Sequence, residues 1–426
     1  VIESDAISKP FSETRQATTD IINPFWADPP NGRVAANPLR YFFRCFARVP
    51  AKNDGILLKL SRIYLGTRHD IVENQCRGSL ANSARLPASI SPIFIDARRS
   101  LLRIGRTGFF IYNPRVPGPS LSIIIVSWNV RELLSACLRS LPLDDPQTEI
   151  IVVESASSDG TAPMVRDEFP AVALIASEMN LGYSRGNNLG LRAARGRYLL
   201  VLNPDTEVVG DALGAMCAFM DEHPEVGALG PQMVYADGAP QPTRRRFPTP
   251  LTAFFESTWL QSFAPRSLLS HFYAEDLPAN ETVEVDWVVG AALLVRREVF
   301  HQVGGFDEGF FMYSEELDWC RRMRAAGWKV VHFPAARILH HEARSSAQVP
   351  AATHIRFNAS KVRYFRKYHG AVFAEALRLF LLANFAVQLA LEWLKGLFGH
   401  KRELRAARVA AYWQVLRSGL RSGVIS

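Results

Sequence analysis

A chain of 426 residues, 48% hydrophobic and 21% charged, has the length of two or three domains and the composition of a globular protein with a sizeable core, which excludes wholesale disorder. Its five cysteines (Cys45, Cys76, Cys137, Cys217 and Cys320) are odd in number, far apart and without a CxxC pair, which argues against a disulfide framework or a structural zinc site and fits a reducing cytosol. The net charge of +8 divides unevenly: residues 1–120 hold 17 basic and 9 acidic side chains, residues 121–355 hold 19 and 29, and residues 356–426 hold 13 and 3. An acidic middle suits metal binding, and a basic tail suits anionic lipid or nucleic acid.

The chain opens "VIESDAISKPFSE", without Met and without the basic start and apolar core of a signal peptide, so none is expected. Residues 1–118 give little periodic signal and end in a linker-like "NPRVPGPS". They read as a small accessory domain or a partly disordered region of unknown role.

From Leu121 the pattern alternates. "LSIIIVSW", "EIIVVES", "AVALIAS" and "RYLLVLN" read as buried strands, and "VRELLSACLRSL", "DGTAPMVRDEF" and "SRGNNLGLRAAR" as the intervening helices. Successive βαβ units predict a parallel sheet wrapped by helices, with ligands beyond the carboxyl ends of the strands. Ser127-Trp128-Asn129, Glu154-Ser155 and Asn203-Pro204-Asp205 each follow such a strand, so the sheet gathers their polar groups along one edge. In "NLGYSRGNN", Gly182 and Gly186 permit tight backbone geometry at a helix start, where exposed N–H groups attract phosphate. Further on, "VVGAALLVRRE" predicts a strand, a turn and a helix. In "FFMYSEELDWC", Glu315, Glu316 and Asp318 stand at a helix start, where the dipole favours carboxylates.

The tail begins with the basic aromatic "FNASKVRYFRKYHG" and continues as an apolar helix over residues 371–398. Its longest uncharged apolar run, Leu379 to Leu391, has 13 residues, short of the roughly 18 to 20 that cross a bilayer. Asn384, Gln388, Glu392 and Lys395 form a polar stripe, and a basic segment follows. Residues 371–421 are therefore expected to lie on a membrane surface, with packing against the catalytic domain or another subunit as the alternative. No basic stretch forms a recognition module, so no nucleic-acid partner is expected.

"IIIVSWN", "VVESASSDGT", "NLGYSRGNNLGLRAARGRYLLVLNPDT" and "DWVVGAALLVRREVFHQVGGFDEGFFMYSEELDWCRRMRAAGWKVVHFPAARILHH" resemble, in order and spacing, the family 2 glycosyltransferases, in particular their rhamnosyltransferase-like branch. The resemblance implies an α/β GT-A nucleotide-sugar-binding fold over residues 119–346, followed by a basic, amphipathic helical tail over 347–426. It puts Asp205 at the last position of the family's DxD element, with Asn203 at the first, and implies Mg²⁺ or Mn²⁺ on Asp205, a hard oxygen ligand that suits either ion. His340 or its neighbour His341 would complete the metal site. Glu154 falls where the family reads the base and ribose, with Ser155 in place of the usual Asn. Ser127, Asn129, Asn180, Arg185, Asn188 and Asn203 would line the nucleotide sugar. Asp159 either joins them or, with Ser157, caps the helix beginning near Thr161.

Glu316 falls at the family's catalytic base, with Asp318 as the alternative. Trp287 and Gly290 would border the acceptor, unless Trp287 is core, and Gly305, Phe306 and Asp307 would shape the loop to the base. The expected activity is inverting, metal-dependent transfer of a sugar, rhamnose from a thymidine diphosphate donor as the first candidate, to a glycan or lipid-linked hydroxyl for cell-surface polysaccharide. The expected location is cytoplasmic, peripheral on the inner face of the membrane. The rival is a catalytically silent glycan-binding or scaffold protein on the same fold.

Overall fold

Strands β1 (Leu121–Ser127), β2 (Thr148–Ser155), β3 (Ala173–Ser177) and β4 (Tyr198–Leu202) alternate with helices α1 (Arg131–Arg139), α2 (Thr161–Glu168) and α3 (Gly182–Ala193). The computed structural model describes residues 119–341, 348–397 and 401–421, so the expectations for residues 1–118 lie outside the described residues. The interiors of β1 and β4 are buried, which is why they read as unbroken apolar runs rather than as an alternation. These strands pair in parallel in the order β3-β2-β1-β4. The strand order therefore reverses between β1 and β4, and a crevice opens beyond their carboxyl ends.

The rest of the sheet is mixed. After β5 (Thr206–Val209), α4 (Ala212–Glu222) and β6 (Val226–Val234), the chain makes β7 (Arg244–Arg245), α5 (Pro250–Phe255), a 3-10 turn (Trp259–Phe263), α6 (Arg266–Phe272), β8 (Val283–Val285) and β9 (Trp287–Val288). Then come β10 (Ala292–Arg296), α7 (Arg297–Val303), α8 (Glu315–Ala325) and β11 (Lys329–His340). β10 inserts antiparallel between β4 and β6, and β11 runs parallel to β6 but antiparallel to β5 and β8. β7 and β9 pair apart from the main sheet. β10 passes straight into α7, where a turn was expected.

The glycines of "GYSRGNNLG" serve packing. A Cβ on Gly186 or Gly190 would come within 2.8 Å of Val126 or 2.4 Å of Ile124, so their absence lets α3 lie directly on β1. The tight geometry expected of Gly186 is this close approach of helix to strand.

Three helices close the chain: α9 (Pro350–His369), α10 (Ala371–Leu397) and α11 (Arg402–Ser418). Phe310 and Leu317 of the catalytic region share a core with Val362, Phe365, Leu377 and Phe385 of α9 and α10. The boundary expected at residue 346 is therefore no break in packing. Part of the polar stripe of α10 faces inward: Asn384 and Glu392 are only 3% and 4% exposed, whereas Gln388 is half-buried and Lys395 exposed. Glu392 pairs with Arg405 and lies 3.4 Å from Lys395 and 3.7 Å from Arg408. At 27 residues, with an 18-residue stretch of mean hydropathy 1.6, α10 is long and apolar enough to cross a bilayer by length and composition, although the 13-residue run had suggested otherwise.

Candidate active site

The carboxyl end of β1 is tied to that of β2. Asn129, at a left-handed φ of 52°, donates its backbone N–H to Ser157 Oγ (3.0 Å), while its Oδ1 accepts from the Ser158 N–H (2.8 Å) and its carbonyl from Gln348 Nε2 (2.9 Å). Glu154 is buried and accepts the Ser157 N–H at 2.5 Å. Ser127 is buried with its Oγ unpartnered. A cavity of about 370 Å³ opens here, lined by Asn129, Arg131, Asp159 and Gln348. Asp159 accepts from the Thr161 N–H and Oγ1 and from the Arg131 N–H. Burial pulls its carboxyl up, but these bonds outweigh it and hold Asp159 below the usual range. Asp159 thereby closes the turn before α2, although the N-cap position itself is Gly160, at a left-handed φ of 83° and with no side-chain cap.

Two residues of the expected donor set act on the protein itself. Asn188 is buried and clasps the next loop: its Nδ2 donates to the Phe306 carbonyl (2.9 Å) and Glu308 Oε1 (3.0 Å), and its Oδ1 accepts the Phe306 N–H (2.9 Å). With its amide spent, Asn188 positions residues 306–308 rather than lining the nucleotide. Asn180 Oδ1 accepts the Gly182 N–H (2.9 Å) and shapes the entry to α3. Arg185 is largely exposed, 3.6 Å from Glu308.

Pairing of β5 with β11 sets Thr206 opposite His340, and so brings Asp205 to the end of β11. His340 Nε2 lies 3.5 Å from Asp205 Oδ1, and both residues are buried. Gln241 fixes the imidazole: its Nε2 donates to the His340 carbonyl (2.8 Å), which leaves Oε1 to accept from His340 Nδ1 (3.0 Å). With the proton on Nδ1, Nε2 turns a lone pair towards Asp205 and has no hydrogen-bond partner. An imidazole nitrogen and a carboxylate oxygen facing each other at this separation fit a shared divalent cation, and the Gln241 oxygen on the far ring nitrogen is an acceptor that orients the ring, as acceptors there orient metal-binding histidines. His341 Nε2 is instead 2.7 Å from Glu207 Oε1. Asn203 follows β4 with its backbone held by Ala291 and Thr206.

On the opposite wall, Tyr313 and Ser314 both take left-handed φ values, 73° and 65°, unusual for two successive non-glycine residues. That turn delivers Glu315 and Glu316 to the first turn of α8. Burial and the adjoining Glu316 push the Glu315 carboxyl well up. Burial also raises Glu316, opposed by backbone N–H groups including those of Gly290 and Leu317 and by the Arg245 guanidinium. Each carboxyl keeps one oxygen without a partner. Tyr183 joins the two walls: its hydroxyl donates to the Gly290 carbonyl (2.6 Å), and burial, with Glu315, Glu316 and Asp205 around it, holds its pKa well above normal.

Asp318 does not face the cleft as a free acid. It is fully buried, bound by Arg322 Nε (2.9 Å), Lys367 Nζ (2.6 Å) and the Tyr368 hydroxyl (2.8 Å), so it fastens α8 to α9. Asp307 does the same for the loop through Arg363 and Lys367, both at 2.9 Å, and its contacts, led by Lys367, outweigh burial to hold it at about 2. Trp287 donates Nε1 to the Arg246 carbonyl (3.0 Å) and packs partly buried beside Phe272.

The sequence profile described as Glycosyl transferase family 2 matches residues 122–304. An N-acetylglucosaminyl-diphospho-decaprenol L-rhamnosyltransferase of Mycobacterium tuberculosis is 30% identical over 280 residues, spanning 63% of this chain and 91% of that protein. The chain belongs to glycosyltransferase family 2. Rhamnosyltransferase WbbL of Escherichia coli K12 is 27% identical over 51% of this chain and 82% of its own. Among solved structures, mannosyltransferase PcManGT from Pyrobaculum calidifontis, in complex with GDP-Man and Mn²⁺, is similar at a TM-score of 0.42 and 18% identity, over 72% of this chain and 87% of that one.

The molecule is thus a glycosyltransferase enzyme of the GT-A fold, in the rhamnosyltransferase-like branch. Sequence reasoning passed over three of its residues. Tyr183 sat unremarked inside a quoted motif. Arg245 had only the triple-arginine run 244–246 as a signal. Gln241 had none, since its role exists only once β11 lies beside it.

Proposed function

We propose that this glycosyltransferase moves a sugar, rhamnose from a thymidine diphosphate donor as the first candidate, to a hydroxyl of a lipid-linked glycan, with inversion. The two relatives named as rhamnosyltransferases support the sugar, and the one acting on a decaprenol-linked substrate supports the acceptor class. The reading is carried by the unpartnered His340 Nε2 turned on Asp205 at the sheet edge.

Asp205 and His340 would hold Mg²⁺ or Mn²⁺, which would supply Lewis-acid neutralisation of the departing diphosphate. Among the described residues no third His, Cys, Asp or Glu joins them, so donor oxygens and water would fill the remaining positions. Ser127, Asn129, Glu154 and Asn203 line the edge where the nucleotide would lie. Glu316 takes the acceptor proton on its free oxygen as the acceptor oxygen bonds to the anomeric carbon, opposite the breaking bond to diphosphate. More backbone N–H groups and Arg245 favour the anion of Glu316, while Glu315, with one backbone N–H and with Glu316 beside it, is pushed further towards its protonated form. The enzyme works at the cytoplasmic membrane face, which residues 371–421 would contact.

Transfer from thymidine diphosphate rhamnose to a short-chain prenyl diphosphate-linked N-acetylglucosamine, with and without chelator, tests this reading. Product that needs a divalent ion, and is abolished by Asp205→Ala without loss of fold, is expected. Unchanged turnover in Asp205→Ala would overturn the metal site, and no product with any nucleotide sugar would overturn the activity.

A further inference from the structure

Helix α10 is built inside out. Its polar Asn384 and Glu392 face the protein, while Val372, Leu379, Val387, Leu391, Leu394 and Leu397 face solvent, Val372 at 88% exposure. Ala376, Ala383, Ala386 and Ala390 fill the positions between them and are also exposed. Steps of three and four residues put these side chains on one face, a continuous apolar stripe about 38 Å long. Single exposed apolar residues are ordinary, but an unbroken stripe of this length marks a contact surface. Trp393, and Trp413 on α11, are also more than half exposed, and tryptophan favours the boundary between lipid and water.

Beside the first turns of α10 lies a cavity of about 260 Å³ at the junction of α9, α10 and the end of α11. Four guanidinium groups line it (Arg363, Arg366, Arg378 and Arg421) against one carboxylate, Glu375. Arg378 takes that carboxylate in a bidentate pair, and Arg363 is committed to Asp307 while its Nε is buried without a partner. Arg366 comes no nearer to Glu375 than 3.9 Å. The cavity thus keeps uncompensated positive charge in donors shaped for a phosphate.

We propose that the α10 stripe is the bilayer-contact face of this enzyme and that the arginine cavity seats the phosphate of an anionic lipid headgroup. This rests on the membrane-surface reading above and gives it a face, an orientation and a lipid class. Charge selects the occupant: with 13 basic and 3 acidic side chains in residues 356–426, a second copy of this surface would repel, whereas an anionic leaflet attracts it. The helix lies along the interface, because the buried Glu392 cluster ties one long side of it to α11.

Sedimentation of the full chain with vesicles of phosphatidylcholine alone, or with phosphatidylglycerol added, provides the test. The unmodified protein is expected to bind the anionic vesicles roughly tenfold or more tightly. Arg366→Ser with Arg421→Ser should erase that preference, and Leu379→Ser, Val387→Ser and Leu394→Ser together should abolish binding to both. All should keep turnover on a water-soluble acceptor, which verifies their fold and separates this proposal from the activity: lost turnover in the unmodified protein would sink the activity reading alone. Indifference of the unmodified protein to phosphatidylglycerol vesicles would overturn the proposal, as would a preference surviving the arginine changes. Arginine-dependent binding of inorganic phosphate without vesicle binding would also overturn it, leaving a site for a soluble anion, and a dimer that hides the stripe would overturn it in favour of self-association.

Discussion

The two halves of the sheet are built on different rules. In the β3-β2-β1-β4 half, consecutive strands are joined by short helical links, with one crossover from β3 to β4, and the polar residues arrive at the crevice because each follows a parallel strand. In the β10-β6-β11-β5 half, the working contacts cross long stretches of chain: Gln241 meets His340 across 99 residues, and Tyr183 meets Gly290 across 107. The first half supplies, from local order, the polar edge proposed to meet the nucleotide. The second supplies charge control, deciding which carboxylates are neutralised by partners and which are left with an open oxygen.

That division is sharpest on α8, where Glu316 and Asp318 sit two residues apart with opposite surroundings. Glu316→Gln retains shape but cannot accept a proton, so transfer should fall by about 10² to 10⁴ in kcat with donor binding near normal. Rapid-quench transfer assays beside nucleotide titration calorimetry would check it, and normal turnover would remove Glu316 from the reaction. Asp318→Asn should act the other way round. Leaving Lys367 and Arg322 without their shared carboxylate should cost about 2 kcal/mol of stability, read by denaturant unfolding, while the turnover of the folded fraction stays within a few-fold. A dead but fully stable Asp318→Asn would reverse the two roles.

A smaller effect tests the other long-range contact. Gln241→Leu frees the His340 ring, and loss of such an orienting partner typically weakens metal binding by about 10- to 100-fold. Manganese titration in the presence of nucleotide would measure it. Unaltered affinity would mean that Gln241 only packs.

The same contrast governs what the sequence made legible. The four parallel strands, the edge they share and the place of Asp205 after β4 could be read directly, because a period-two or unbroken apolar run followed by a polar break is a local signal. Asn188 and Asp318 were read as site residues from their place in motifs, yet their partners, Phe306 in one case and Lys367 and Tyr368 in the other, come from elements 49 to 118 residues away. Amphipathicity likewise fixed that α10 has a polar stripe but not which way it faces. Glu392 turned inward because Arg405 and Arg408 of α11 were there to meet it.

The finest test separates the two adjoining acids by pH. Glu315 has its carboxyl raised well above the ordinary range by burial and by Glu316. For an acid raised on folding, the folded state holds its proton where the unfolded chain has released it. Stability from this group is therefore complete below the unfolded pKa and is lost as pH climbs towards the folded one. Glu315→Gln removes that loss, so its melting temperature should decline less than that of the unmodified protein as pH rises above the ordinary carboxylate range, by roughly 2 to 4 °C. The acid limb of the kcat/KM profile should survive, because it belongs to Glu316, which must be ionised to accept the acceptor proton and is itself raised by burial. Calorimetric scans across pH, paired with pH–rate profiles, carry both readouts. If Glu315→Gln flattens the acid limb and leaves the melting curve unchanged, the proton-accepting carboxylate is Glu315, and the turn at Tyr313-Ser314 presents the first acid of the pair rather than the second.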